Sequence, residues 1–170
     1  MTPARQDAVS VRPATAADAA AVARIYNPYV TDTIVTFEEE PVTAAEMAER
    51  IDQVLADSLP WLVADVDGVV AGYAYATRWR PRFGYRFSVE VTVYLAADRG
   101  GRGIGSKLYE ALIAALRERG LRAAMGGIAL PNDASVALHE KFGFKKVAHF
   151  DQVGIKFDRW IDVGYWQLIL

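Results

Sequence analysis

Polar and apolar residues alternate in some stretches of the chain and follow helical spacing in others. The stretch AVSVRPA alternates and ends at Pro13, which predicts a first strand. Two similar motifs, TAAD at 15–18 and TAAE at 43–46, have the capping-box pattern of helix starts. Apolar residues recur at helical spacing after each motif. The pattern therefore predicts one strand followed by two amphipathic helices.

The middle of the chain predicts three successive antiparallel strands and a helix. The stretch WLVADVDGVVAGYAYATRW surrounds Asp67-Gly68, a strong hairpin signal. The stretch YRFSVEVTVYLAA is rich in β-branched and aromatic residues, as strands are. After a glycine-rich loop, a helix that ends near Gly120 has one apolar face. That face comprises Ile104, Leu108, Leu112 and Leu116.

The last third of the chain adds a strand, a short helix and two strands. The apolar stretch RAAMGGIAL ends at Pro131, Asn132 is the expected N-cap of the short helix, and Gly143 ends that helix. We expect one α+β domain over residues 1–170, with residues 1–8 as a loose arm. Its sheet is expected to be mixed and mostly antiparallel, with about seven strands flanked by about four helices.

Composition excludes several classes of protein. Hydrophobic residues make up 52% of the 170 residues and charged residues 24%, which is typical of a globular domain. The absence of cysteine excludes disulfides and thiolate chemistry, and with only two histidines no metal site is expected. A net charge of −2 gives no general attraction to nucleic acid or acidic membranes. No apolar run is long enough to cross a bilayer and no secretory signal is evident, so we expect a cytoplasmic protein.

The stretch DRGGRGIGSK, at 98–107, has the composition of an anion-binding loop that opens a helix. Two familiar nucleotide loops can be tested against it. A P-loop requires Lys before Ser or Thr, and here Ser106 precedes Lys107. A dinucleotide-binding fingerprint requires glycine where this chain has Leu108. We therefore predict a loop that binds another pyrophosphate.

This loop resembles the acetyl-CoA loop of the GNAT acetyltransferase superfamily, which reads Gln/Arg-x-x-Gly-x-Gly/Ala. The matching positions are Gly100, Gly101, Arg102, Gly103, Ile104 and Gly105, with Gly100 where the family has Gln or Arg. The stretch NDASVALHEKFGF resembles the second CoA-binding segment of that superfamily. It has His139 in place of the usual tyrosine, as in the phosphinothricin acetyltransferase branch. Resemblance to this branch extends over nearly the whole chain.

The resemblance implies the GNAT acyl-CoA N-acyltransferase fold, acetyl-CoA as the acetyl donor, no metal, and a homodimer. It also implies a β-bulge that splays the strand carrying residues 92–94, so that main-chain groups contact the donor. The implied CoA-binding residues are Thr92, Val93, Tyr94, Asn132 and His139, together with the glycine loop.

Glu90 is the candidate general base that removes a proton from the amine of the acceptor. It lies in the otherwise apolar stretch FSVEVTVYL, where burial would raise the pKa of its carboxyl. The alternative is a residue on a solvated strand face beside Ser88 and Thr92. His139 is the first candidate to assist the CoA thiolate, and Tyr109 is the second.

The loop TRWRPRFGYR interleaves arginines with aromatic residues. Arginine suits the bidentate binding of a carboxylate, and aromatic residues suit the walls around a small apolar group. The resemblance implies an acceptor that is a small amino-acid analogue of the phosphinothricin, methionine sulfoximine or methionine sulfone type. The acceptor-binding positions it implies, besides Glu90, are Phe37, Trp79, Arg80, Pro81, Arg82, Tyr85, Val89 and Val91.

Three other functions remain open at this stage. An acetyltransferase of this kind could act on a protein N-terminus or on another small amine. The basic and aromatic loop could instead bind single-stranded nucleic acid, although the acidic net charge argues against it. A protein that binds acyl-CoA without transferring the acyl group is made less plausible by Glu90. We expect neither nucleic acid nor membrane as a partner.

Overall fold

The computed structural model describes residues 8–170, and its elements follow the order that the sequence predicts. The arm predicted for residues 1–8 lies outside the described residues except for residue 8. The helices are α1 (Ala19–Asp32), α2 (Ala44–Ala56), α3 (Ile104–Glu118) and α4 (Asp133–Lys141). The strands are β1 (Val9–Pro13), β2 (Trp61–Val66), β3 (Val69–Arg78), β4 (Ser88–Leu95), β5 (Ala123–Ala129), β6 (Lys145–Lys156) and β7 (Arg159–Ile169).

Local signals explain where the elements begin. Thr43 caps α2 through a capping box, in which its hydroxyl accepts a hydrogen bond from the Glu46 N–H at 3.2 Å. The same motif at Thr15 opens a single turn of 3₁₀ helix, Ala16–Asp18, and α1 follows directly. Asp67 and Gly68 have φ angles of 52° and 81°, as the tight β2–β3 hairpin requires.

The seven strands form one sheet in the order β1-β2-β3-β4-β5-β7-β6. All neighbours are antiparallel except β4 and β5, which are parallel and pair only over Ser88–Glu90. Beyond Glu90, β4 continues along β3 while β5 continues along β7, so the two halves of the sheet separate. The β-bulge expected in β4 is wrong, since its pairing with β3 runs from Val89 to Leu95 without a register shift. The opening arises where the parallel pairing ends.

Helices cover both faces of the sheet. On one face, Tyr73 of β3 lies beside Tyr94 of β4, and the Tyr94 ring meets Tyr26 of α1 with centroids 5.1 Å apart. On the other face, a Cβ added to Gly72 would lie 3.3 Å from Leu108 Cδ1, so α3 packs there. Within residues 8–170, no helix combines the length and apolar content needed to span a membrane.

Candidate active site

Three cavities lie side by side from the glycine loop to the β6–β7 hairpin. The first, of about 290 Å³, is bordered by Gly100. The second, of about 340 Å³, contains Glu90. The third, of about 480 Å³, is mostly apolar and is bordered by Trp79. Neighbouring cavities share lining residues. The first two share Val35, Val93, Tyr94, Asn132 and Ser135, and the last two share Phe37, Val163 and Tyr165.

The glycine loop meets the N-terminus of α3 beside the first cavity. Gly101 and Gly103 have φ angles of 73° and 77°, and Gly103 is the N-cap of α3. A Cβ at either position, or at Gly100, would have no atom within 4 Å, so the loop backbone is open on that side. Backbone N–H groups at such a helix start bind anions. Gly105 differs, because a Cβ there would be in ordinary van der Waals contact with Leu138 of α4, 3.4 Å from its Cδ2.

The other predicted residues of the donor site differ in what their side chains contact. The side chain of Ile104 is 2% exposed and packs in the core, so only its backbone belongs to the loop surface. Asn132 caps α4 by accepting a hydrogen bond from the Ser135 N–H at 3.2 Å, and it lines the first two cavities. Thr92, Val93 and Tyr94 line the second cavity along the part of β4 that has separated from β5. Arg102 lies in the glycine loop, between its two left-handed glycines.

Glu90 lies at the last paired position of β4 and β5, where the second cavity begins. Burial raises the pKa of the Glu90 carboxyl above its ordinary value, and the nearby positive charge of Arg80 opposes that rise. The close approach of this carboxylate to β5 depends on Gly127, because a Cβ there would lie 3.1 Å from Glu90 Oε1. The sequence alternative of a solvated strand face does not describe this half-buried position.

His139 and Tyr109 form a buried pair at the opposite wall of the second cavity. The Ser135 carbonyl can only accept, so His139 Nδ1–H donates to it at 2.7 Å. His139 Nε2 is then the acceptor for the Tyr109 hydroxyl at 2.8 Å. Burial lowers the pKa of His139 and raises the pKa of Tyr109, which favours the neutral form of both groups.

Two consecutive glycines of β5 separate Glu90 from His139. A Cβ at Gly126 would meet His139, whereas a Cβ at Gly127 would meet Glu90 and Tyr165. Because successive residues of a strand face opposite sides of its sheet, the two titratable groups approach β5 from opposite faces. The second cavity reaches both of them where β4 and β5 diverge.

The predicted acceptor residues are only partly brought together. Phe37, Trp79 and Arg80 line the third cavity, with the Arg80 guanidinium 5.1 Å from the centre of the Trp79 ring. Val91 lines the second cavity. Val89, by contrast, is 1% exposed and packs in the core, so its side chain borders no cavity described here.

Pro81, Arg82 and Tyr85 lie apart from that group. Together with Arg80 they border a separate cavity of about 440 Å³. Only Arg80 belongs to both this cavity and the third one. The assignment of Pro81, Arg82 and Tyr85 to the acceptor site therefore stays a prediction.

Sequence reasoning missed Tyr165 of β7 and Ser135 of α4. Tyr165 stands between the second and third cavities and packs edge-on against Trp79 with centroids 5.4 Å apart. Alternation in DVGYWQ would have placed Tyr165 on one face of a strand, but not beside Glu90. Separately, possible metal-ligand atoms of exposed His149 and Asp151 and half-buried Asp162 lie within 4.8 Å of one another. None of the three residues borders these cavities.

Comparison with known proteins agrees with this geometry. The family model of the acetyltransferase (GNAT) domain matches residues 11–164. A phosphinothricin N-acetyltransferase of Streptomyces viridochromogenes is 44% identical over 167 residues, which are 98% of this chain and 90% of that protein. An L-methionine sulfoximine/L-methionine sulfone acetyltransferase of Pseudomonas aeruginosa is 40% identical over 162 residues, or 95% of this chain and 94% of that one.

A solved structure has nearly the same fold. The acetyltransferase yncA of Salmonella typhimurium, solved with acetyl-CoA, superposes with a TM-score of 0.93. It is 36% identical, and the match covers 96% of this chain and 95% of that one. The fold thus has a counterpart that was solved with acetyl-CoA.

Proposed function

Since this chain belongs to the GNAT acetyltransferase family and uses acetyl-CoA, we propose that it acetylates the α-amine of a small amino-acid analogue. The acceptor would be of the phosphinothricin, methionine sulfoximine or methionine sulfone type, in keeping with the names of its relatives. The observation that carries this proposal is the position of Glu90. It lies between the cavity beside the glycine loop and an apolar cavity that contains a single arginine, Arg80.

The donor lies along the first two cavities. The N-terminus of α3 and the open backbone of Gly101 and Gly103 hold the pyrophosphate. Residues 92–94 of β4 have no partner in β5, which leaves main-chain groups facing the opening. These groups bind the pantetheine arm and the acetyl carbonyl, and they stabilise the oxyanion that forms on that carbonyl.

Glu90 accepts a proton from the ammonium group of the acceptor. The free amine then attacks the thioester carbonyl, a C–N bond forms and the C–S bond breaks. In the overall reaction the nitrogen loses two protons, and CoA leaves as a thiol that carries one of them. The raised pKa of Glu90 makes its carboxylate a stronger base than an ordinary glutamate.

Tyr109 supports the departing sulfur, and His139 positions it. In the neutral imidazole the ring proton is on Nδ1 and is held by the Ser135 carbonyl, so the ring has no proton to offer from Nε2. The hydroxyl that lines the cavity is that of Tyr109, which burial keeps protonated by raising its pKa. In the resting pair this hydroxyl donates its proton to His139 Nε2, so it must turn that proton toward the sulfur when CoA departs, and His139 holds the oxygen in place until then.

The third cavity receives the side chain of the acceptor. Its walls include Trp79, Met125, Phe150 and Tyr165, which suit a short apolar chain. Arg80 is the cationic group that lines this cavity and acts electrostatically on Glu90, and it would hold the acceptor carboxylate.

A thiol-release assay with acetyl-CoA and a panel of amines tests the acceptor. The panel contains phosphinothricin, methionine sulfoximine, methionine sulfone, ordinary amino acids and a short peptide with a free N-terminus. We expect turnover of the first three, and turnover of the peptide alone would refute the acceptor class in favour of a protein N-terminus.

The role of Glu90 is tested in the same assay by Glu90→Gln. We expect kcat to fall by about 10²–10⁴-fold with little change in the KM for acetyl-CoA. Glu40→Gln, an exposed position in the loop before α2, is the matched control and should behave as the unchanged protein. An unchanged kcat in Glu90→Gln would exclude Glu90 as the base.

We also propose a homodimer, supported by the apolar surface of the β6–β7 hairpin. β6 is an edge strand of the sheet, and the hairpin exposes large apolar side chains. These are Val147, Phe150, Val153, Ile155, Phe157 and Trp160. Light scattering after size-exclusion chromatography should give twice the chain mass of 18.7 kDa, and a monomer at micromolar concentration would contradict the proposal.

A further inference from the structure

Lys156, at the end of β6, is a buried lysine outside the reacting groups. It is 1% exposed, and its ammonium donates hydrogen bonds to the Thr36 carbonyl at 2.7 Å and to the Tyr29 carbonyl at 3.4 Å. Tyr29 is in the last turn of α1, where a cation also interacts favourably with the helix dipole. Burying an unpaired ammonium group costs free energy. A lysine at this position therefore indicates a role beyond packing.

The bonds of Lys156 fix a particular part of the chain, the α1–α2 loop (residues 33–43). Phe37 of this loop lines both the second and the third cavities. Its ring rests on Gly154, where an added Cβ would lie 2.6 Å from Phe37 Cε1. Gly154 and Lys156 are two residues apart on β6 and so share one face of the strand. Thr36 therefore contacts Lys156, and the next residue of the loop, Phe37, contacts Gly154.

The other side of this loop is anchored to the first half of the chain. Glu38 forms an ion pair with Arg50 of α2 at 2.6 Å and accepts a hydrogen bond from the Tyr26 hydroxyl at 2.8 Å. The loop is therefore held from α1 and α2 on one side and from β6 on the other. Phe37 lies between the two sets of anchors, at the boundary of the Glu90 cavity and the apolar cavity.

We propose that Lys156 and Gly154 are positioning residues that hold Phe37 at the boundary between the two cavities and thereby set the affinity for the acceptor. This inference rests on the proposed function, because it assigns the apolar cavity to the acceptor. Neither residue lines the first two cavities, which the proposed function assigns to the donor. Their loss should therefore change the binding of the acceptor far more than that of acetyl-CoA.

Lys156→Met keeps an unbranched side chain one atom shorter and removes its hydrogen-bond donors. We expect the KM for the acceptor to rise by about tenfold through the misplaced Phe37, while kcat and the KM for acetyl-CoA stay within about twofold. Lys145→Met, an exposed lysine at the other end of β6, is the matched control and should leave all three unchanged. Equal changes in both KM values and kcat, or none at all, would overturn the proposal.

Gly154→Ala leaves the Lys156 side chain unchanged and adds a methyl group against the Phe37 ring, at a residue that also lines the third cavity. It should raise the KM for the acceptor in the same way. In a Phe37→Ala background, neither Gly154→Ala nor Lys156→Met should raise it further, because the ring on which they act is gone. A full effect of either variant in that background would show that they do not act through Phe37.

Hydrogen exchange separates this inference from the proposed function. In Lys156→Met, amides of residues 33–43 should exchange faster than in the unchanged protein, while those of β7 should keep their protection. If no amine of the panel is acetylated, the proposed function fails and this measurement still decides the positioning role. Unchanged exchange in the loop would refute it even in an active enzyme.

Discussion

Gly126→Ala should impair catalysis by displacing His139 without altering its chemistry. The new methyl group would lie 2.6 Å from His139 Cδ2 and closer still to Nε2, well inside van der Waals contact. The ring has little room to move, because it is 3% exposed and hydrogen-bonded on both nitrogens, to Ser135 and to Tyr109. Overpacking of this kind costs about 1–3 kcal/mol of unfolding free energy.

Two measurements report the effect. Thermal unfolding should show a midpoint lowered by about 2–4 °C for each kcal/mol lost in a domain of this size. The thiol-release assay should show kcat lowered by about ten- to a hundredfold, less than the 10²–10⁴-fold that acid–base groups supply, because the groups are displaced and not removed. The KM for acetyl-CoA at the glycine loop should change little.

Gly164→Ala provides a matched control for the loss of stability. A Cβ there would lie 2.5 Å from Trp166 Cζ3, so a buried aromatic ring is again overpacked, but away from the three cavities. We expect a comparable fall in the unfolding midpoint and a nearly normal kcat well below that midpoint. If Gly126→Ala matched Gly164→Ala in both properties, the position of His139 would be irrelevant to the reaction and the assigned pair would be wrong.

Two further predictions concern pH. In Arg80→Ala, the acidic limb of the kcat–pH profile should move to higher pH, because Arg80 lowers the pKa of Glu90 against the effect of burial. The control Arg82→Ala should leave the limb in place, and an unmoved limb in Arg80→Ala would contradict the prediction. Asp18→Asn should cost about 1–3 kcal/mol of unfolding free energy at pH 7, because Arg12 loses a charged partner at 2.8 Å. Arg12 lowers the pKa of Asp18 in the folded protein. The difference in unfolding free energy between the two proteins should therefore be fully present above the ordinary aspartate pKa, about 3.9, and be lost as the pH falls through the lower pKa of the folded protein. Urea unfolding at pH 3 that gave the same difference as at pH 7 would refute this prediction.

The order of the elements was predictable because its signals are local. A capping box at Thr43, the Asp67-Gly68 turn and the alternation in β4 each act within a few residues, and all of them appear in the structure. The position of Glu90 in a cavity was predictable for a related reason. Burying a charged residue in an apolar strand costs free energy, so a charged residue at such a position indicates a functional role.

The rest depended on contacts between distant parts of the chain. β4 separates from β5 because β4 continues along β3 and β5 continues along β7. No residue spacing within either strand predicts this separation. Lys156 looks like an ordinary charged residue in β6, and its burial becomes visible only when the Thr36 carbonyl is brought against it. The acceptor-binding roles of Arg82 and Tyr85 stay a prediction for the same reason, since their cavity shares only Arg80 with the third cavity.

The two glycines at the centre of β5 connect the topology of the sheet with the chemistry. Gly126 admits His139 on one face and Gly127 admits Glu90 on the other, at the point where β4 and β5 diverge. A base and a sulfur-supporting hydroxyl on opposite faces of an intact sheet could not act on the same bond. Here the opening joins the two faces. In the reaction we propose, a thioester would reach through it from the α3–α4 side with its carbonyl toward Glu90 and its sulfur toward Tyr109. The acceptor would approach from the β6–β7 side, so that both substrates could be bound at once and the acetyl group transferred directly.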